Sequence, residues 1–262
     1  MNAVLPTPFD VRLMNATASL LVTGLVLAAL GLGLWWALRN PVFAISHITV
    51  TGDTGHNSAA SLSAAVMPRL AGNFFTMDLH AAQQAFQSAP WVRRAVVQRE
   101  FPGTLHVNLQ EHVPVARWGE GDTHLVNSFG EVFEAEADDL DGARVPRLSG
   151  PDGQTPQVLE MYRQLSPALR PLGLPMTALR LEPRGHWHAE LEGGGEIELG
   201  HGTPSELAAR LAQFAATARE VAARHQRGVD AIEAADLRHV GGYALRLRGV
   251  STVRAQADEQ GR

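Results

Sequence analysis

The chain has no cysteine and no lysine. Without cysteine it can form no disulfide, no thiolate metal site and no thiol nucleophile. Without lysine it cannot form a Schiff base, and the usual lysine of a phosphate-binding loop is missing. All 22 basic side chains are arginine. Positive charge is scarce where a nucleic-acid surface would need it. Past Asn40 there are 20 arginines against 26 acidic residues, a net of −6, which argues against nucleic-acid binding.

The most informative absence is local. The 26 residues Leu13 to Leu38, between Arg12 and Arg39, carry no charge. As a helix they reach about 39 Å, against a hydrocarbon core of about 30 Å. Trp35 and Trp36 stand at the end of the run, where aromatic rings settle at headgroup level. Asn40-Pro41 stops the helix, because a residue before proline is pushed out of the α region. The run is too long for a signal-peptide core, and no A-x-A cleavage pattern follows it. Residues 1–12, with Pro6 and Pro8, are expected as a disordered tail and 13–38 as a transmembrane helix. The flanking charges, Arg12 on one side and Arg39 on the other, leave its orientation open.

The remainder is long enough for two modest domains. Phe43–Thr51 alternates as a half-buried strand. Asn57 or Ser58 can cap a helix that runs to Met67. Gly72-Asn73-Phe74-Phe75 is expected as a loop dropping two aromatics into a core. Asp78 caps a second helix, Leu79–Ala89. Val92–Glu100 and Thr104–Glu111 are strands around the turn Phe101-Pro102-Gly103. Pro114, lacking an N–H, is expected to end ladder pairing and mark a boundary. Residues 43–112 thus form one module and 113–254 another, with 255–262 a frayed tail.

In the second module, Ala116–Trp118, His124–Asn127 and Glu131–Phe133 read as short strands. An acidic loop (Glu134–Gly142) and a Gly/Pro-rich stretch (Ser149–Pro156) follow. A helix runs from Gln157 to about Leu169. Ala178–Glu182, Trp187–Glu192 and Glu196–Leu199 are consecutive strands, the last two joined through Gly193-Gly194-Gly195. Thr203-Pro204 opens a long helix to about Arg227. Ile232–Arg238 and Tyr243–Arg248 form a last hairpin. The fold class is α+β: a single transmembrane helix, a small β-α-α-β-β domain, and a mostly antiparallel β domain with two helices.

Three stretches carry a resemblance: Ala89-Pro90-Trp91-Val92-Arg93, Phe101-Pro102-Gly103-Thr104-Leu105, and Glu111-His112-Val113-Pro114-Val115-Ala116-Arg117-Trp118. With Ala235-Asp236-Leu237-Arg238 they resemble the FtsQ/DivIB family of bacterial cell-division proteins, over essentially the whole chain. The resemblance implies that the β-α-α-β-β module is a POTRA domain. It also implies a non-enzymatic scaffold in the inner membrane at the division septum. The N-terminus would be cytoplasmic, the rest periplasmic, and the partners FtsB, FtsL and other division proteins.

Chemistry has little to stand on. His186 and His188 share a strand face, but no third metal ligand is visible. No Gly-x-Ser-x-Gly elbow exists. Asp138-Asp139 belong to a solvated acidic loop, and Glu111, beside His112 and near Arg117, reads as a paired structural charge. No catalytic residue, cofactor, metal or small-molecule substrate is expected.

The last hairpin is the candidate site. Tyr243, Ala244, Leu245, Arg246 and Leu247 form the terminal strand, and a terminal strand often lies at a sheet edge open to another chain. The resemblance implies that this edge receives a strand of FtsB, with Arg184, Arg238, His239, Gly241 and Leu247 among the contacts. Here the chain departs from the familiar pattern, which has tyrosine at the position of His239 and tryptophan at that of Leu247. Two other readings remain: a POTRA-bearing adaptor of secretion or outer-membrane assembly, and an anchored periplasmic hydrolase. The first should lead into amphipathic barrel strands of about 10 residues. The second needs a nucleophile and base. Neither feature is recognisable.

Overall fold

The computed structural model describes residues 9–250, except 59–61, 63, 65, 71, 137–139, 141 and 240. The expected tail 255–262, Asp138-Asp139 and much of the helix expected to end at Met67 lie outside the described residues. The chain divides into two compact units, Met1–Glu111 and His112–Arg262.

The first unit opens with α1 (Phe9–Leu38), 30 residues with no buried side chain. It is the one helix among the described residues long and apolar enough to cross a membrane. It starts four residues before the expected Leu13, so Phe9–Arg12 belong to the helix and not to a tail. The Arg39 guanidinium lies over the Trp35 ring, 4.6 Å from its centroid. Asn40 then caps a short 3-10 turn, Pro41–Phe43, its side chain accepting from the Val42 N–H. Proline suits that first turn, so Phe43 is not yet in a strand. β1 begins at His47 and runs to Gly52.

A three-stranded sheet follows in the order β1-β3-β2, with β2 at Val92–Glu100 and β3 at Thr104–Glu111. β1 pairs β3 in parallel and β2 pairs β3 antiparallel. Leu105, Val107 and Leu109 alternate onto the buried face. Against them pack Ala82 and Phe86 of α2 (Leu79–Gln87), whose cap Asp78 accepts from the His80 and Ala81 N–H groups. Leu62 and Val66, two described residues of the expected first helix, are also buried there, while Ala64 and Met67 are exposed. Phe74 and Phe75 do not enter this core: Phe75 is 46% exposed. Asn73 is buried in their place. Its side chain accepts from the Phe75 and Thr76 N–H groups and thereby shapes the loop.

Glu111 closes the unit. It is 7% exposed. Its carboxylate accepts from the His56 and Asn57 backbone N–H groups, the Asn57 side chain and His56 Nδ1. The His56 ring stacks on Trp91 at 3.7 Å. Burial pushes the Glu111 carboxyl up, but the four hydrogen bonds from His56 and Asn57 together prevail and hold it below the usual 4.5.

The second unit is one sheet of nine strands with helices on one face. β4 (Pro114–Trp118), β5 (His124–Asn127), β6 (Val132–Glu134) and β7 (Arg147–Ser149) precede α3 (Thr155–Leu165). Then come β8 (Met176–Leu181), β9 (Trp187–Leu191), β10 (Glu196–Gly200) and α4 (Pro204–Arg224). β11 (Ile232–Asp236) and β12 (Ala244–Leu247) finish the chain of elements. The order across the sheet is β12-β11-β10-β9-β8-β7-β4-β5-β6. Most pairings are antiparallel, but β4–β7, β7–β8 and β10–β11 are parallel. Both helices are crossovers of such pairs: α3 joins β7 to β8 and α4 joins β10 to β11. Each buries its apolar stripe on the sheet, α4 through Leu207, Leu211, Phe214 and Ala218.

Two expectations need correcting here. Pro114 opens β4, opposite Asn127, and does not terminate a ladder. A strand's first residue is a place where a missing N–H does no harm. β7 lies where only connecting chain was expected. Its three residues, between Pro146 and Gly150, are too few to show a period. The expected turn at Asn127–Gly130 is present: Asn127 is fully buried and its side chain accepts from the Phe129 and Glu131 N–H groups. Gly130, at φ +83°, lies against Pro156, which leaves no room for a Cβ.

The Glu111 cluster sets an acid dependence. A carboxyl held low in the fold contributes stability above its ordinary value and loses it as pH falls through the folded value. Glu111→Gln should destabilise the first unit by about 1–3 kcal/mol at neutral pH and flatten its loss of stability in acid. Urea unfolding of a chain that keeps Trp91, which stacks against His56, as its single tryptophan measures both by fluorescence.

Candidate partner-binding edge

β12 stands at one end of the nine-stranded sheet, and among the described residues it pairs with β11 alone. The ladder sets Asp236 opposite Ala244, Ala235 opposite Leu245, and Ala234 opposite Arg246. Just beyond it the Arg248 N–H donates to Ala231 O at 2.7 Å. Backbone groups alternate sides along a strand. Arg246 and Arg248 therefore turn toward β11, while Leu245 and Leu247 turn away from it; the Leu247 C=O accepts from the Val250 N–H at 3.1 Å, and the outward groups left are those of Leu245 and the Leu247 N–H.

Side chains alternate across the other axis. Tyr243, Leu245 and Leu247 face the helix-covered core, with Leu247 only 5% exposed. Ala244 and Arg246 face solvent on the opposite side, and Arg246 pairs with Glu233 of β11 at 3.3 Å. Leu247 therefore cannot offer its side chain to another molecule as expected; its apolar side chain belongs to the core, and only its backbone faces outward. Tyr243 fixes the start of the strand. Its ring meets Phe214 of α4 edge-on at 5.1 Å, and its hydroxyl is 2.8 Å from that of Thr217.

The other expected residues gather at the adjoining end of the sheet. Asp236 ends β11, and Arg238 folds back on it. Arg238 Nε donates to Oδ1 at 2.9 Å and Nη2 to Oδ2 at 2.6 Å, while Nη1 pairs with Glu198 at 3.1 Å. The two side-chain hydrogen bonds from Arg238 are the chief reason that the Asp236 carboxyl lies at about 2, below its usual 3.8, despite an opposing push from burial. Gly200, at φ +74°, ends β10 where the Arg238 stem leaves no space for a Cβ. Arg184 is exposed in the β8–β9 turn and makes no ion pair among the described residues. Its neighbours Gly185 and His186 lie against His201, just past β10. His239 and Gly241 are exposed in the β11–β12 turn.

The surface beside that turn has no counterpart among the expected site residues other than His239, Gly241 and Tyr243. Glu206, Ala209, Arg210 and Gln213 of α4 form one wall of an open cleft of about 310 Å³. Leu237, His239, Gly241, Gly242 and Tyr243 form the other. The signal was present as the polar stripe of α4, but only the parallel crossover reveals which strand that stripe borders. Arg210 holds the corner, donating to Leu199 O and His201 O. Elsewhere, His188 pairs with Glu182 at 3.1 Å, and the described residues hold no cluster of three metal-ligating side chains. Arg117 pairs with Asp122.

Comparison with known proteins bears on the whole chain. A family described as Cell division protein FtsQ/DivIB, C-terminal, matches residues 116–238, and one described as POTRA domain, FtsQ-type, matches residues 43–112. A relative from Burkholderia pseudomallei called Cell division protein FtsQ is 38% identical over 242 residues, covering 92% of this chain and 94% of its own. Relatives of the same name from Thiomonas arsenitoxydans and Bordetella pertussis are 36% and 34% identical, covering 93% and 91% of this chain and 89% and 92% of theirs. The chain belongs to the FtsQ family of cell division proteins. The β-sheet part of the first unit, residues 43–112, is the POTRA domain, and the FtsQ/DivIB C-terminal match covers the nine-stranded unit from Ala116 to Arg238, ending before β12. A membrane protein of cell division with an N-terminal apolar helix is the role that follows.

The Arg238 clasp can be tested alone. A carboxyl-resolved NMR titration should place Asp236 near 2, and Arg238→Ala should raise it toward 3.8. An unchanged midpoint in the variant would contradict the clasp.

Proposed function

We propose that this chain is a non-enzymatic scaffold of the bacterial division machinery that holds the FtsB–FtsL pair by strand addition to β12, and so helps control septal peptidoglycan synthesis. Its α1 would anchor it in the inner membrane at the septum, with the N-terminus cytoplasmic and both the POTRA domain and the nine-stranded unit periplasmic. The POTRA domain would take part in recruitment by other division proteins.

One observation carries the reading: β12 ends the sheet with the backbone groups of Leu245 and the N–H of Leu247 turned away from β11. A strand of FtsB laid there would draw affinity from that ladder and specificity from the side chains on either face. Ala244 and Arg246 would meet it on the solvent side. On the other side the cleft beside His239, Gly241 and Tyr243 could take one of its side chains. The exposed Arg184 would suit an acidic group. Arg238 would act by holding the end of β11 through Asp236, since its guanidinium is already engaged.

Proline substitution separates the two sides of the strand. Leu245→Pro removes an N–H that faces outward, where a proline is tolerated at an edge. Arg246→Pro removes one that faces β11. Leu245→Pro should abolish capture of the FtsB periplasmic segment while the POTRA domain stays folded, and Arg246→Pro should also loosen the last hairpin. Unchanged capture by Leu245→Pro would refute edge pairing. In cells, depletion should give filaments, whereas accumulated unfolded outer-membrane proteins would point to an assembly adaptor. Turnover of cell-wall fragments by the purified protein would point to a hydrolase.

A further inference from the structure

Four of the nine phenylalanines converge at one end of the first unit, the end nearest α1. Phe43 meets Phe75 edge-on at 5.0 Å, Phe75 meets Phe74 at 5.2 Å, and Phe74 meets Phe101 at 6.0 Å. They do not form a core. Phe101 is 72% exposed, Phe75 46%, and the neighbouring Val42 80%. A contiguous apolar patch left open on a folded unit marks a surface that something covers.

Its position says what covers it. The Phe74 N–H donates to Phe43 O at 2.8 Å, and Ser46 N–H donates to Gly103 O at 2.9 Å. These bonds gather the 41–46 linker, the Phe74–Phe75 loop and the Phe101 hairpin turn into one tip. The buried Asn73 side chain donates to Leu38 O, the last residue of α1. The tip is therefore fastened to the C-terminal turn of the helix, where Trp35 and Trp36 are exposed and Arg39 lies over Trp35. In a bilayer that turn lies at headgroup depth, the layer that favours aromatic rings beside arginine.

We propose that the Phe43–Phe74–Phe75–Phe101 tip rests in the interfacial layer of the bilayer that α1 enters, so that lipid contact as well as the helix orients the first unit on the membrane. This rests on α1 crossing the bilayer. The occupant is lipid: the patch is continuous with the helix end, and its fastening to Leu38 keeps it at the membrane surface. β1 runs about 17–20 Å from this tip to its far end. Asp53, exposed just past that end, should therefore stand in water.

The chain has no cysteine, so a single introduced one reports one site. The full chain would be reconstituted in phosphatidylethanolamine–phosphatidylglycerol vesicles, with a nitroxide at Phe101→Cys, Phe75→Cys, Val42→Cys, Ala28→Cys or Asp53→Cys in turn. Val42→Cys leaves all four rings in place, so it reads the tip even where loss of a phenylalanine disturbs it. Collisions with oxygen should exceed those with a water-soluble nickel chelate at positions 101, 75 and 42, most strongly at 28, and the order should reverse at 53. Labels at the tip as open to the chelate as the label at 53 would overturn the proposal. So would tip labels shielded from both reagents, which would mean a protein partner. Chelate access at 28 would overturn the spanning helix itself, and the proposal with it.

Discussion

An open β-sheet leaves one row of backbone N–H and C=O groups at each end without a partner in its own chain. In the nine-stranded unit, the order of elements decides which strands stand there. α4 carries the chain from β10 across the sheet face to lay β11 parallel beside it, and the chain then returns as β12 on the outside. β12 is only four residues long, and its hold on the unit comes largely from side chains. Leu247 enters the core, Tyr243 reaches Phe214 and Thr217, and Arg246 ties back to Glu233. Those contacts use the two faces of the strand and leave its outer edge to the backbone.

The same separation explains the charges nearby. The guanidinium of Arg238 binds Asp236 and Glu198, closing the ends of β10 and β11. It is therefore part of the frame on which β12 hangs, and the departures at His239 and Leu247 can be judged separately. His239 is exposed beside the cleft, where its side chain can meet a partner. Leu247 is enclosed, and a change of its side chain alters the packing beneath the edge before it alters the edge. Strand addition asks for backbone geometry, which does not depend on either aromatic being present.

Much of this was legible in the sequence where one physical rule governed a stretch. The uncharged run gave the helix, and the alternation of Leu105, Val107 and Leu109 gave β3 to the residue. Thr203-Pro204 marks the start of α4, and the structure adds a capping box between Thr203 and Glu206. The misses share a cause. β7 is three residues long and has neighbours only through parallel pairing, which leaves no local pattern. The apolar character of Phe74 and Phe75 points to a core, yet the loop is built around Asn73, whose side chain holds the Phe75 and Thr76 N–H groups. The cleft beside β12 joins residues from about 206 to 243 and exists only once α4 has crossed the sheet. Leu247 could not be placed on a face until its register with Ile232 was known.

The central claim is that the outer backbone of β12 is open and is the surface a partner strand occupies. Residue-resolved amide hydrogen exchange reads it directly. In the free chain the Leu245 and Leu247 amides should exchange quickly while those of Arg246 and Arg248 are protected; adding the FtsB segment should protect Leu245 and Leu247 as well. Protection of those two amides before any partner is added, or no change when it is, would contradict the account.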